Sequence, residues 1–238
     1  MLDERAGGVE YIDEGRASDS LTVQTHKLMQ LLNRFSDGRR IVEHFIEAEY
    51  RACRPERSLT VLDLGAGSCD IPLAILRRAG RKALDLRFTC VDRSGPALAM
   101  ARQQINAAGV SSIELVQADI WDYQPAEPFD CAVGSLFFHH FSDEQILDLI
   151  QRLRGFVRRS LLINDLHRSP GPYLACAALR PFLPALIWHD AMVSVKRGFK
   201  PGQLRQLLQR LGPRRLDIKT HWFSRISAAL WFAGQTHT

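Results

Sequence analysis

The chain has 238 residues, 46% hydrophobic and 24% charged, with 31 basic against 26 acidic side chains and a net charge of +5. That length supports one sizeable core with an extension rather than two full domains, and the composition excludes a disordered chain. The positive charge lies in scattered pairs such as Arg39-Arg40, Arg158-Arg159 and Arg214-Arg215 with no basic tail, so no nucleic acid is expected as partner.

Five cysteines without a Cys-x-x-Cys pair, and a polar first stretch with no apolar run, lead us to expect a reducing, cytoplasmic setting and no signal peptide. No uninterrupted apolar run approaches the roughly eighteen residues of a membrane span.

The first twenty residues carry few anchors and read as a loose arm. Leu28, Leu31 and Leu32, then Ile41, Val42, Phe45 and Ile46, recur at helical spacing and predict two helices broken near Ser36-Asp37-Gly38. Helices placed there can cover a ligand, and Arg34 could reach its carboxylate; the plainer alternative is a pair that only packs on a sheet, with Arg34 in water.

Leu59 to Asp63 reads as a short buried strand, followed at once by Gly65 and Gly67 and then by a helix ending near Gly80. Glycine lets backbone approach a ligand, so this turn is a nucleotide-binding candidate. The dinucleotide fingerprint wants glycine at the sixth position from Gly65, where Asp70 stands, and no Gly-Lys-Ser/Thr follows. NAD, FAD and the P-loop pattern are thereby disfavoured. Asp63, two residues before the first glycine, can instead accept hydrogen bonds from an ammonium group.

The second strand, Leu86 to Asp92, again ends in a carboxylate, at the spacing where an acidic side chain takes both ribose hydroxyls of a βαβ-bound nucleoside. Ser94-Gly95-Pro96 opens a helix over Ala97 to Ala108, closed by Gly109. The third strand, Ile113 to Ala118, leads into Asp119-Ile120-Trp121. Phe129 to Leu136 is the fourth, with Phe137-Phe138-His139-His140-Phe141 as the loop beyond it. Ser142-x-x-Gln145 is a capping box for a helix reaching about Arg154.

The fifth strand is expected over Leu161 to Asp165, before Leu166-His167-Arg168. Tyr173 to Trp188 is crowded with apolar residues and broken by prolines, so it cannot be one long helix. A lid over an apolar substrate or a peripheral membrane contact would need that composition, and so would packing against the N-terminal helices, which is the reading we take. A helix opened by Pro201 runs to Gly212, and the last two strands are placed at Arg215 to Lys219 and Trp222 to Phe232. These elements predict an α/β fold, with residues 1–58 as arm and helical cover, 59–238 as the main domain, and an insert at about 170–197.

With Asp63, Gly65 and Gly67 ending the first strand, Asp92 the second, and Asp119 following the third, the chain resembles the class I S-adenosylmethionine-dependent methyltransferases. Their first motif is an acidic residue followed by Gly-x-Gly-x-Gly; Cys69 stands in place of the last glycine. The resemblance implies a Rossmann-like, seven-stranded, mostly parallel sheet with helices on both faces, and S-adenosylmethionine as cofactor. It gives Asp119 the exocyclic amine of adenine and Ile120 the face of the ring, and adds Ala66, Arg93 and Gly134 to the cofactor set. The histidine loop and the insert look like the small-molecule branch, including quinone and polyketide methyltransferases.

For that branch a methyl acceptor with a hydroxyl group needs a base at the carboxyl ends of the central strands, where His139, His140 and His167 fall. His140, nearer the loop tip, is the first choice, and Asp165 orienting His167 is a second pair; each histidine has the alternative of simply bonding backbone. O-methylation of an apolar or aromatic small molecule is favoured, with C-methylation beside it. The rivals are an RNA or protein methyltransferase, against which stands Gly134-Ser135-Leu136-Phe137 where amide-nitrogen enzymes carry Asn/Asp-Pro-Pro-Tyr/Phe, and a binding protein without transfer activity. No metal site is expected, because His139 and His140 are adjacent and lack a second pair at ligand spacing.

Overall fold

The computed structural model describes residues 37–53, 57–222 and 224–232, together with Arg5 and Gln24. Leu28, Leu31, Leu32 and Arg34, and hence the first of the two N-terminal helices, lie outside the described residues.

One seven-stranded sheet organises the chain, in the order β3-β2-β1-β4-β5-β7-β6. Its strands are β1 (Leu59–Leu64), β2 (Leu86–Asp92), β3 (Ile113–Gln117), β4 (Phe129–Ser135), β5 (Val157–Leu166), β6 (Arg215–His221) and β7 (Arg225–Trp231). All neighbours are parallel except β7, which runs antiparallel between β5 and β6. The Rossmann-like expectation is thus met, and the chain reverses its direction of travel across the sheet between β1 and β4, where ligands of such sheets sit.

Among the described residues seven α-helices accompany it: α1 (Gly38–Cys53), α2 (Asp70–Ala79), α3 (Gly95–Ala108), α4 (Asp143–Leu153), α5 (Pro170–Ala178), α6 (Ala185–Arg197) and α7 (Pro201–Gln209). Side chains alternate across a strand, so Leu59 and Val61 join one core with α1, α2 and α3 while Leu62 and Leu64 join the other with α4 and α7. Asp63 therefore faces the α1–α3 side.

Helix α1 buries Ile41, Val42, Phe45 and Ile46 as its spacing predicts, and also Glu43, Glu47 and Glu49. Each acid is partnered. Glu43 meets Arg78 at 3.1 Å and Lys82 at 3.2 Å, Glu47 meets Arg51 at 3.0 Å and also Lys82, and Glu49 meets Arg159 at 3.2 Å and the indole N–H of Trp231 at 2.7 Å. Hydrogen bonding to Lys82 holds the Glu47 carboxyl below its ordinary range. Buried carboxylates need such partners, and these fasten α1 to α2, β5 and β7.

Strand β5 begins four residues before the expected Leu161, because Arg158 and Arg159, which read as surface, are strand residues paired to Asp130 and Glu49. Trp222 and Ser224 belong to the hairpin turn before β7 rather than to the strand, with Ser224 at φ 67°. The insert breaks at its prolines as expected. Among the described residues α5 and α6 pack on one another through Cys176, Met192 and Val195, leaving Leu174 and Phe182 exposed. No helix among the described residues is long and apolar enough to cross a membrane.

Candidate active site

The turn after β1 is left-handed at three positions: Gly65 at φ 63°, Gly67 at 53° and Cys69 at 56°. Cys69 keeps the conformation that the missing glycine would have taken, at a cost of about 1–2 kcal/mol for an L-residue. Its side chain is fully buried, its N–H donates to Ala66 O at 2.9 Å, and it stands at the N-cap of α2. Burial first, and then the Cys69 thiol beside it, push the Cys90 thiol well above its usual range.

Strand β2 stitches the turn in place. The N–H groups of Gly65 and Ala66 donate to Val91 O at 2.9 and 3.2 Å. The Asp92 carboxylate accepts from Gly67 N–H at 2.7 Å and from Ser94 N–H at 2.8 Å. Each oxygen retains a lone pair for a further donor. Asp63 is 5% exposed, and no donor among the described residues meets its carboxylate. Burial, followed by the charges of Asp70 and Asp92, pushes it well above the ordinary carboxylate range.

Beyond β3, Asp119 accepts from Trp121 N–H at 3.0 Å, which fixes the turn there. Ile120 is 6% exposed and packs into the α4–α7 core. Arg93 follows Asp92, and its carbonyl accepts from Gln117 at 3.5 Å. Gly134 pairs in register with Leu64, and its lack of a side chain has a packing reason: a Cβ there would stand 2.6 Å from the Phe138 ring.

The loop after β4 leaves the sheet at Leu136, a bulky residue at φ 54°, a conformation that marks strain held by its surroundings. Phe137 then lies over the glycine turn. A Cβ on Gly65 would come 2.4 Å from Phe137 Cδ2. Gly65→Ala should therefore displace that ring as well as strain the turn, costing about 1–3 kcal/mol of stability and weakening any ligand seated on the turn; thermal melts with and without ligand check this.

The three histidines separate by environment. His139 is 1% exposed, and its Nδ1 lies 2.7 Å from Asp165, which also accepts the His139 N–H at 3.1 Å. Asp165 accepts in addition from Leu166 N–H at 2.7 Å. Burial would raise the Asp165 carboxyl, but the charge and hydrogen bond of His139 outweigh it and hold it below its ordinary range. His140 is half-buried, its ring 4.2 Å from that of His139. His167 is half-buried two residues beyond Asp165, with its backbone bridged to Phe199 and its imidazole pushed down by burial.

Asp165 thus holds His139, where the sequence suggested His167. The two carboxylate bonds to His139 were missed because spacing along the chain favours His167, whereas only the packing of the loop onto β5 brings His139 down to the strand end. Among the described residues no three His, Cys, Asp or Glu side chains gather as metal ligands.

Within this arrangement, residues 61–160 match the methyltransferase domain family. The matched stretch is similar to a methyltransferase domain. The matched residues run from β1 into β5 and take in the glycine turn, Asp92, Asp119 and both loop histidines.

The plantazolicin methyltransferase BpumL, solved with a monoazolic desmethylPZN analogue and S-adenosylhomocysteine (SAH), is similar to the chain at 17% identity, with 84% of this chain and 86% of that one covered and a TM-score of 0.66. Magnesium protoporphyrin IX methyltransferase from Synechocystis PCC 6803, with bound SAH, is similar at 15% identity, covering 82% and 84%, with a TM-score of 0.57. The S-adenosylmethionine-dependent methyltransferase SibL in its apo form is similar at 22% identity, covering 74% of this chain and 51% of that one, also at 0.57. At such identities the likeness is one of fold. No curated protein sequence matches this chain.

Proposed function

We propose that the chain is a methyltransferase, binding S-adenosylmethionine and methylating the hydroxyl of an apolar or aromatic small molecule. The observation that carries this is the buried Asp63 carboxylate, without a donor among the described residues, beside a left-handed glycine turn whose neighbouring strand ends in Asp92. A buried acid held above its ordinary range is costly unless something cationic completes it. An amino-acid ammonium does so.

The donor set fits the cofactor along its length. Asp63 takes the ammonium, Asp92 takes the ribose hydroxyls with its remaining lone pairs, and Asp119 takes the exocyclic amine. The cofactor, when bound, supplies an electrophilic methyl group. SAH in two of the similar structures supports this reading.

On the acceptor side, half-buried Phe137, Phe141 and Trp121 offer aromatic surface, with the rings of Phe137 and Phe141 5.0 Å apart and those of Trp121 and Phe141 5.9 Å apart. His140 stands next to them and takes the hydroxyl proton as the oxygen gains its methyl. A phenol with a pKa of about 10 needs that help at neutral pH. His139, buried and tied to Asp165, serves as the support on which His140 rests. The absence of an Asn/Asp-Pro-Pro-Tyr/Phe motif at Gly134–Phe137 favours oxygen over an amide nitrogen.

Calorimetric titration tests the cofactor assignment. S-adenosylmethionine and SAH should bind in the micromolar range and NAD should not, and Asp92→Ala should weaken both by about 10²-fold, the value of two charge-assisted hydrogen bonds. Absence of SAH binding to the unmodified protein would sink the proposal; binding would justify screening phenols as acceptors.

A further inference from the structure

A side chain that must meet a reacting atom is only as well placed as the backbone that carries it, and the loop bearing His140 leaves the sheet through a strained residue. Three successive carbonyls of that loop, at His139, His140 and Phe141, are all taken by arginines from distant parts of the chain. Arg197, the last residue of α6, donates from Nε to His139 O at 2.8 Å and from Nη2 to His140 O. Arg5 donates from Nη2 to Phe141 O at 2.8 Å and, at 3.5 Å, to His139 O.

The two arginines are themselves joined. Arg5 Nε donates to Arg197 O at 3.0 Å, Arg5 Nη1 meets the Asp143 carboxylate at the start of α4, and the Arg5 guanidinium lies 4.5 Å over the Phe199 ring. The Arg5 side chain is 16% exposed. Two guanidiniums placed this close repel, and the carbonyl dipoles together with Asp143 offset that repulsion. The fork of planar donors on arginine suits several acceptors at once, which a lysine ammonium cannot match.

We propose that Arg5 and Arg197 are positioning residues that clamp the loop after β4 and thereby set where His140 meets the acceptor. This rests on His140 being the group that faces the acceptor. Arg5 acts across 134 and 136 positions of sequence on its two carbonyls, so a residue from near the start of the sequence belongs to the acceptor half of the site, while the donor half is built from Asp63, Asp92 and Asp119.

The test uses full-length protein carrying Arg5→Ala or Arg5→Lys, with no ligand for the deciding readouts. In Arg5→Ala, amide hydrogen exchange over residues 137–142 should quicken by about tenfold or more, and the ¹⁵N imidazole resonances of His140 should shift, while the melting temperature changes little. Arg5→Lys, which keeps the charge near Asp143 but not the fork, should restore only part of the protection. Unchanged exchange and unchanged His140 resonances in Arg5→Ala would overturn the clamp.

SAH affinity should stay within about twofold of the unmodified protein, because the donor half is untouched; with a phenol accepted in the screen, kcat should fall by about 10²-fold at unchanged KM for the donor. An Arg5→Ala protein that loses SAH affinity and kcat together would also overturn the assignment to the acceptor side. If instead the unmodified protein fails to bind SAH, the cofactor reading fails by itself, and the exchange and imidazole measurements still decide the clamp.

Discussion

Asp63→Asn should weaken SAH binding by about 10²-fold, the value of one or two hydrogen bonds to a charged group, and at the same time stabilise the unliganded protein. The second effect follows from the first by way of burial. Desolvation, then the nearby charges of Asp70 and Asp92, raise the Asp63 carboxyl well above its ordinary value, so between the unfolded and the folded value the folded chain holds a proton that the unfolded chain has released. A group whose folded pKa is raised contributes full stability below its unfolded pKa, and loses it as pH rises through the folded value. Asparagine removes that loss. A gain of about 1 kcal/mol at neutral pH would lift the melting temperature by about 2–4 °C in a chain of this length.

Ligand binding should carry the opposite dependence on pH. The ammonium of SAH needs Asp63 ionised, so affinity should fall as pH drops through the raised value, and binding at a pH below that value should release a proton. Calorimetry in buffers of different ionisation enthalpy measures that proton directly. If Asp63→Asn binds SAH normally and releases as many protons as the unmodified protein, Asp63 is not the ammonium site. A stabilised apo protein with impaired binding is the expected pattern where a site stores an uncompensated charge for its ligand.

The other large effect separates the two loop histidines. His140→Asn should lower methyl transfer to a phenol by about 10²–10⁴-fold, the range for removing a general base, with SAH affinity and melting temperature close to those of the unmodified protein. Asp165→Asn should behave differently, because it breaks a buried pair and weakens the two bonds that seat His139 on β5. Removing one partner of such a pair costs about 3–5 kcal/mol.

The pH sign here is the reverse of that for Asp63. Asp165 is held below its ordinary value, so the stability it contributes is present above the unfolded carboxylate pKa and is lost as pH falls through the folded one. The stability of the unmodified protein should fall as pH drops through the folded value of Asp165, and Asp165→Asn should lack that part of the pH dependence. Equal loss of transfer with no loss of stability in Asp165→Asn would instead place His139 and Asp165 in direct contact with the acceptor.

Much of this protein was legible in its residues alone. Parallel strands buried on both faces are written as short apolar runs, so β1, β2 and β4 could be placed nearly to the residue, and a glycine turn with a carboxylate at each of two successive strand ends marks a nucleoside site because both features are local. The departure at Cys69 was visible too, although its consequence was not. Only the folded chain has the left-handed turn preserved, with the thiol buried near Cys90.

Tertiary structure decided what depends on meeting across sequence distance. Nothing in the sequence marks three glutamates of α1 as buried, because their partners come from α2, the turn that follows it, β5 and β7, and Arg158 and Arg159 at the start of β5 disguised that start for the same reason. The pairing of Asp165 with His139 rather than with the nearer His167 came from the loop folding back onto its neighbouring strand. Arg5 and Arg197 carry no motif at all: a guanidinium that binds backbone carbonyls can be matched by any sequence at the carbonyl end, so nothing in the order of residues records the contact.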